Sequence, residues 1–162
     1  MDMDLAVGLE VLAIDHVGVA VADLDVAISL YTGPLGGVLA HRESNPEQQV
    51  DEAMIAFGDG ATVQLIAPSS PDSTIATFID RNGPGLQQLA FRVADVATAG
   101  RIVRAAGMRL LYSEPRRGTA GSLINFVHPK DAGGVLVELV QLPDPVSPTG
   151  DGERTTPSGG TP

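Results

Sequence analysis

The stretch Ile-Asp-His-Val-Gly-Val-Ala-Val at residues 14–21 decides the fold, because it recurs as Leu-Gln-Gln-Leu-Ala-Phe-Arg-Val at residues 86–93. Each copy is followed by an Ala-rich segment with the residue spacing of a helix. Asp23 and Asp95 lie between strand and helix, where a short carboxylate can accept the free amide hydrogens of the first helical turn. The sequence therefore predicts one strand-helix motif written twice.

Three strand-like runs follow each predicted helix, so that the order βαβββ is repeated. They cover residues 37–41, 52–57 and 62–67 in the first half and residues 109–112, 123–127 and 135–142 in the second. We expect an α+β fold in which two modules, of about residues 13–82 and 83–142, form a curved mixed sheet around a metal-containing cleft. Residues 1–12 are interpreted as a leader, and the Pro-, Gly-, Ser- and Thr-rich residues 143–162 as a disordered tail.

The composition narrows the chemistry and the partners. The chain has 162 residues, a net charge of −10, three histidines and no cysteine. Absence of cysteine excludes disulfides, thiolate metal sites and cysteine nucleophiles. The negative charge argues against nucleic-acid and membrane partners, because both surfaces are recognised through basic patches. No apolar run reaches the roughly 20 residues that span a bilayer, and the acidic start does not resemble a signal peptide, which predicts a cytoplasmic protein.

Strand alternation places four polar side chains at equivalent positions of the two modules. His16 and Gln88 occupy matching positions in the first strands, and Gln64 and Glu138 in the closing strands. Taken singly, each is more often a solvated side chain than a ligand, but modules that face each other would bring all four to one axis. One imidazole, two amides and one carboxylate suit a divalent ion such as Co, Mn, Ni or Mg.

At this point the chain resembles the vicinal oxygen chelate superfamily and, within it, the methylmalonyl-CoA epimerase family, over nearly all of residues 13–142. The segments that carry the resemblance are residues 14–20, 45–48, 85–88, 111–118, 125–130 and 134–139. The stretch 112–130 is the more discriminating part, since the His-containing strand is shared by the whole superfamily.

The resemblance implies one divalent metal ion, with cobalt favoured and Mn, Ni, Mg or Zn as alternatives, held by His16, Gln64, Gln88 and Glu138. It also implies epimerisation of methylmalonyl-CoA, or of a close acyl-CoA, by removal and return of a proton through an enolate. Glu52 is then an acid-base residue inside the cleft, with Glu138 as the candidate for the opposite face. A homodimer is expected, because dimers are common in this scaffold.

One position departs from the family pattern. The family usually has a Gly-Leu-His-His segment, which reads Gly-Leu-Gln-Gln here and places Gln88 where a histidine ligand is usual. An amide oxygen is a weaker and harder ligand than an imidazole nitrogen, so we expect lower metal affinity and less preference for zinc. The other histidines, His41 and His128, are predicted to be structural or solvated.

Contacts with the substrate are less clearly indicated. Arg116, Arg117 and Lys130 are candidates for the CoA phosphates, because cations are sparse in this chain, although a solvated charged loop explains them equally well. Gly121 and Ser122 belong to a Gly-rich turn whose backbone amides could receive a carboxylate or phosphate.

Other activities of the same scaffold remain open at this stage. A glyoxalase-type lyase is compatible with the ligands, and a small-molecule-binding protein would use the same cleft without chemistry. A non-haem iron dioxygenase is disfavoured, because it requires two histidines and one carboxylate and the predicted site has one histidine.

Overall fold

The computed structural model describes residues 8–145, which form eight strands and three α-helices. The strands are β1 (Ala13–Ala20), β2 (Val38–Asn45), β3 (Val50–Ala56), β4 (Thr62–Pro68), β5 (Gly85–Arg92), β6 (Arg116–Arg117), β7 (Leu123–Val127) and β8 (Val137–Gln141). The helices are α1 (Leu24–Thr32), α2 (Thr74–Asn82) and α3 (Val96–Ala105).

All eight strands belong to one mixed sheet in the order β2-β3-β4-β1-β5-β8-β7-β6. The first strand of each half lies parallel to the last strand of that half, as β1 with β4 and β5 with β8, and the outer pairs are antiparallel. β1 and β5, the two copies of the repeated stretch, pair antiparallel at the centre. The predicted α+β fold with a mixed sheet is confirmed.

Each half builds its own apolar core between the sheet and one helix. In the first half, α1 contributes Leu24 and Ala27 to a cluster that includes the fully buried Ile55 and Leu65. In the second half, α3 packs against the closing strands through a cluster of Val93, Val96, Ala99, Val103, Val127 and Leu139. Full burial of a Val, Leu or Ile side chain contributes about 1.5–3 kcal/mol to the stability of the folded state. These cores occupy one side of the sheet and leave the other side for the cleft.

The predicted helix caps are present. Asp23 Oδ1 accepts from Val26 N at 3.0 Å, and Asp95 Oδ1 accepts from Thr98 N at 2.6 Å. These bonds satisfy amide groups that have no partner within the helix, and each such cap is worth about 1 kcal/mol.

The predicted strand at residues 109–112 was wrong. Only Leu110 makes a bridge, to Val127, and the edge strand of the second half is β6 instead. The Arg104 guanidinium donates to the carbonyls of residues 112 and 113, and the side chain of Asn125 bonds both backbone groups of Tyr112. Backbone bonds from Leu111 N to Phe126 O and from His128 N to Arg109 O, both 2.8 Å, flank the bridge, and side chains take over the backbone groups from Tyr112 onward, so the pairing stops after one bridge.

Helix α2 was not anticipated, although its apolar residues Ile75, Phe78 and Ile79 have helical spacing. Residues 8–12 have no regular secondary structure, yet Leu12 N donates to Arg92 O at 2.9 Å and Leu9 packs against the α3 cluster. The predicted tail lies largely outside the described residues, as do residues 1–7, so the proposed domain limits stay predictions. Within residues 8–145, no helix has the length and apolar character needed to cross a membrane.

Candidate active site

The four side chains paired by the sequence repeat lie together and are all buried. The Gln88 amide nitrogen is at the centre of the group, 2.7 Å from Glu138 Oε2, 3.0 Å from Gln64 Oε1 and 3.4 Å from His16 Nε2. His16 Nε2 is also 2.9 Å from Glu138 Oε2. Side chains from three strands thus converge on a single position.

The register of the central strands produces this convergence. Gly18 on β1 is opposite Gln64 on β4 and opposite Gln88 on β5. A Cβ atom at Gly18 would lie 2.4 Å from Gln88 Cγ, well inside van der Waals contact. Only glycine at position 18 leaves room for the Gln88 side chain to pass over β1 and reach Gln64 on the far side.

His16 is held at both ring nitrogens. Its Nδ1 is 2.7 Å from Asp15 Oδ2, and Asp15 Oδ1 accepts from Arg92 Nε at 2.9 Å. Burial lowers the pKa of His16, but the hydrogen bonds and negative charges of Asp15 and Glu138 outweigh it and raise the pKa to about 9. The hydrogen bond with His16 is the main reason that the pKa of Asp15 is lowered.

Sequence reasoning missed Asp15 and Arg92, because strict alternation along a strand would place the side chains of Asp15 and His16 on opposite faces of the sheet. The pairing of β1 with β5 shifts register between Ile14 and His16, and this irregularity makes Asp15 the extra residue. The adjacent Asp-His pair was visible in the sequence, but the bulge that makes the contact was not.

Glu52 on β3 reaches the same site from the first module. Its Oε2 accepts from Gln64 Nε2 at 2.6 Å, whereas Oε1 is buried and has no hydrogen-bond partner within residues 8–145. Burial is the main cause that raises the pKa of Glu52 to about 7, with the charges of Glu43 and Glu138 adding to it and hydrogen bonding from Thr119 and Gln64 opposing it. Both protonation states of Glu52 are therefore populated near neutral pH.

A cleft opens beside this group. Its polar wall consists of Glu52, Gln64, Gln88 and Glu138, and Thr119 joins it by accepting from Gln64 Nε2 at 2.9 Å. The second module supplies an apolar wall, formed by Leu111, Tyr112, Ile124, Phe126 and Leu136. The group of His16, Gln64, Gln88 and Glu138 is called the cluster below. A ligand in the cleft would contact both modules, with its polar end next to the cluster and its apolar side against the second module.

The predicted substrate-binding residues lie outside this lining. Among the described residues that line the cleft, Arg116, Arg117, Gly121, Ser122 and Lys130 are absent. Arg117 lines an adjoining pocket, Arg116 stacks 4.0 Å from the centre of the Tyr112 ring, and Ser122 lines a small pocket next to His16. Their roles toward a substrate stay predictions.

The cluster suits a hard or borderline divalent ion by its chemistry. Within residues 8–145, no three His, Cys, Asp or Glu side chains are grouped as ligands, and two of the four predicted ligands are amides. Gln64 already directs its oxygen toward the group, and a half-turn of the Gln88 amide exchanges its nitrogen for its oxygen. The Gln88 amide nitrogen itself occupies the point where the other three side chains converge, so an ion there would require the Gln88 side chain to withdraw and present its oxygen. One imidazole nitrogen and three oxygens would then be its ligands, a set that fits such an ion.

Comparisons with known proteins give a consistent family. A sequence model described as the Glyoxalase/Bleomycin resistance protein/Dioxygenase superfamily matches residues 15–126. The Ethylmalonyl-CoA/methylmalonyl-CoA epimerase of Cereibacter sphaeroides is 34% identical over 80% of this chain and 97% of its own length. The crystal structure of methylmalonyl-CoA epimerase from Mycobacterium tuberculosis is 54% identical, with a TM-score of 0.81 over 88% of this chain and 95% of that one. A methylmalonyl-CoA epimerase in complex with methylmalonyl-CoA and NH4+ is 42% identical, with a TM-score of 0.77 over 82% and 95% of the two chains.

Proposed function

The chain belongs to the Glyoxalase/Bleomycin resistance protein/Dioxygenase superfamily and to the methylmalonyl-CoA epimerases within it, and from this premise we propose that it interconverts the (R) and (S) forms of methylmalonyl-CoA or of a close acyl-CoA. Its enzyme class is isomerase. The observation that supports this most directly is Glu52, a buried carboxyl group that lines the cleft, has one oxygen without a hydrogen-bond partner in the described part of the chain, and has a pKa raised to about 7.

Epimerisation needs a group that can both take and give a proton. The proton is removed from the carbon between the thioester carbonyl and the carboxylate, and a proton returns to the opposite face. A carboxyl group whose pKa lies near the working pH serves both directions, because neither protonation state is rare. Glu52 meets this requirement, and we assign contact with the carbon acid to its Oε1, which has no hydrogen-bond partner among the described residues.

We assign proton transfer at the opposite face of the substrate carbon to Glu138. This carboxylate lies on the other module, at the end of the group that includes His16 and Gln88. Its charge already contributes to the raised pKa of Glu52, which means that the two carboxyl groups interact across the site. Two carboxyl groups from opposite modules provide one proton carrier for each face of a planar enolate.

His16, Gln64, Gln88 and Glu138 would hold the divalent ion, with cobalt as the favoured metal. When bound, such an ion supplies Lewis-acid polarisation of vicinal substrate oxygens, a contribution of several kcal/mol to enolate formation. Asp15 holds the His16 ring at Nδ1, which would leave Nε2 to serve as the ligand, and Gln64 holds Glu52 through its own amide nitrogen. Burial of all these groups excludes water from the developing negative charge.

The substrate class follows from relatives that have been solved with methylmalonyl-CoA and with 2-nitronate-propionyl-CoA. The apolar wall of the cleft suits the methyl group, while Arg116, Arg117 and Lys130 remain candidates for the CoA phosphates. The homodimer and the cytoplasmic location expected from the sequence are carried forward as predictions.

The test is epimerisation in deuterium oxide. Cobalt-loaded protein is incubated with a single epimer of methylmalonyl-CoA, and both the second epimer and deuterium at the acidic carbon are measured against a reaction without protein. Ethylmalonyl-CoA and the hemithioacetal of glutathione and methylglyoxal serve as alternative substrates. Turnover of the hemithioacetal without exchange into any acyl-CoA would favour a lyase and refute the proposal.

A further inference from the structure

The central pairing of β1 with β5 contains two irregularities, and each leaves one extra residue just before a residue of the cluster. One extra residue is Asp15, before His16, and the other is Gln87, before Gln88. They occupy equivalent positions in the sequence repeat. A bulge re-aims the side chain of its extra residue, so Gln87 lines the cleft together with Gln88 although the two are adjacent on one strand.

The two bulge residues differ in what they contact. Both carboxylate oxygens of Asp15 accept hydrogen bonds within the protein, from His16 and Arg92. The amide oxygen of Gln87 is buried and has no hydrogen-bond partner among the described residues. Leaving a buried acceptor unpaired costs about 1–3 kcal/mol, so such an atom usually accepts from a bound ligand or an ordered water.

The proposed substrate has few groups that could be this donor. Near neutral pH, the thioester carbonyl and the carboxylate of a methylmalonyl group are acceptors only, and the methyl group is apolar. The first hydrogen-bond donor along the molecule is the amide N–H of the pantetheine arm, two methylene groups beyond the thioester sulfur. Gln87 precedes Gln88 on β5, and both line the cleft. With the acyl group bound next to Gln88, a pantetheine arm that follows the cleft would pass Gln87.

We propose that Gln87 is a specificity-determining residue whose side-chain oxygen accepts a hydrogen bond from the first amide N–H of the pantetheine arm. The inference rests on the proposed acyl-CoA function. It assigns recognition of the thiol portion of the substrate to Gln87 and leaves proton transfer to the two glutamates. The residue thereby distinguishes pantetheine thioesters from other malonyl-type thioesters.

The experiment compares two small thioesters that differ in one atom. The methylmalonyl thioester of N-acetylcysteamine keeps the amide N–H, and the corresponding thioester of 2-mercaptoethyl acetate replaces it by an ester oxygen. The wild-type protein should show a kcat/KM about five to ten times higher for the amide than for the ester. A ratio of one in the wild-type protein overturns the proposal without any variant.

Substitution then locates the contact. Gln87→Met keeps the length of the side chain and removes its acceptor, so the amide-to-ester ratio should fall to about one while turnover of the ester persists. Gln48→Met changes another glutamine that lines the same cleft and should retain the wild-type ratio. A Gln87→Met protein with the wild-type ratio refutes the assignment. Absence of turnover of both thioesters and of methylmalonyl-CoA by the wild-type protein would instead refute the epimerase function.

Discussion

Asp15 binds the ring of His16 through Nδ1, at 2.7 Å, and thereby directs the other ring nitrogen toward Glu138 and the cluster. Arg92 holds the second oxygen of the same carboxylate at 2.9 Å. The three residues form a chain from the surface to the site, because the Arg92 side chain is partly exposed while the other two are buried. A carboxylate in this position orients a ligand histidine and increases its basicity.

Replacing Asp15 by Asn should therefore weaken metal binding. We expect cobalt affinity to fall by about 10- to 100-fold, the usual effect of losing a carboxylate behind a ligand histidine. Titration of metal-free protein with cobalt measures the change. Asp131→Asn, which alters a carboxylate paired with Arg109 outside the cleft lining, is the matched control and should bind cobalt as the wild-type protein does. Equal affinity in both variants would remove Asp15 from the site.

Gly18 should be intolerant of even the smallest side chain. A methyl group there would meet Gln88 Cγ at 2.4 Å, so Gly18→Ala must displace Gln88 from its acceptors. We expect the free energy of unfolding to fall by about 1–3 kcal/mol, with weaker cobalt binding. Urea denaturation measures the first effect. Gly60→Ala, whose new Cβ atom would have an ordinary contact at 3.7 Å, should change the unfolding free energy little. Similar losses in both variants would contradict the packing argument.

Gln88→His should bind cobalt more tightly than the wild-type protein, because an imidazole nitrogen replaces an amide at the point where His16, Gln64 and Glu138 meet. Cobalt titration again decides the matter. Gln48→His introduces the same side chain elsewhere in the cleft lining and should leave affinity unchanged. No gain at position 88 would mean that this side chain does not face the metal.

The success of the sequence argument has a specific physical basis. A strand alternates its faces regularly, so the valines of residues 17–21 were enough to place His16 on the face opposite to theirs, next to Glu138, and the repeat did the same for Gln88. Alternation cannot foresee a bulge, and this is why Asp15 and Gln87 were missed. The strand at residues 109–112 is shortened to a single bridge for a different reason, since the side chains of Arg104 and Asn125 bond the backbone of Tyr112, a contact between distant segments.

Glu52 should also make stability depend on pH in the metal-free protein. Burial raises its pKa from 4.5 to about 7 in the folded state. Its contribution to stability is then full below about pH 4.5 and is lost as the pH rises through 7, because only the unfolded chain ionises freely in that interval. Glu52→Gln removes this loss, so the variant should gain up to about 3 kcal/mol relative to the wild-type protein across the interval. Urea unfolding at several pH values measures the difference, and a constant difference would be incompatible with a buried, perturbed carboxyl group.

The two proposed bases should fail in different ways. Glu52→Gln keeps the shape of the side chain and the proposed ligands, so cobalt content should be normal while epimerisation stops. Solvent deuterium should still enter the starting epimer, provided that the base on the other face removes a proton, exchanges it with water and returns it with retention. Glu138→Gln should lose cobalt together with activity, because this carboxylate is also a proposed ligand and contacts both His16 and Gln88. Metal analysis and deuterium exchange on the same two preparations separate these outcomes. A Glu52→Gln protein that epimerises at the wild-type rate would remove Glu52 from proton transfer and leave a route with one base or with water as the second carrier.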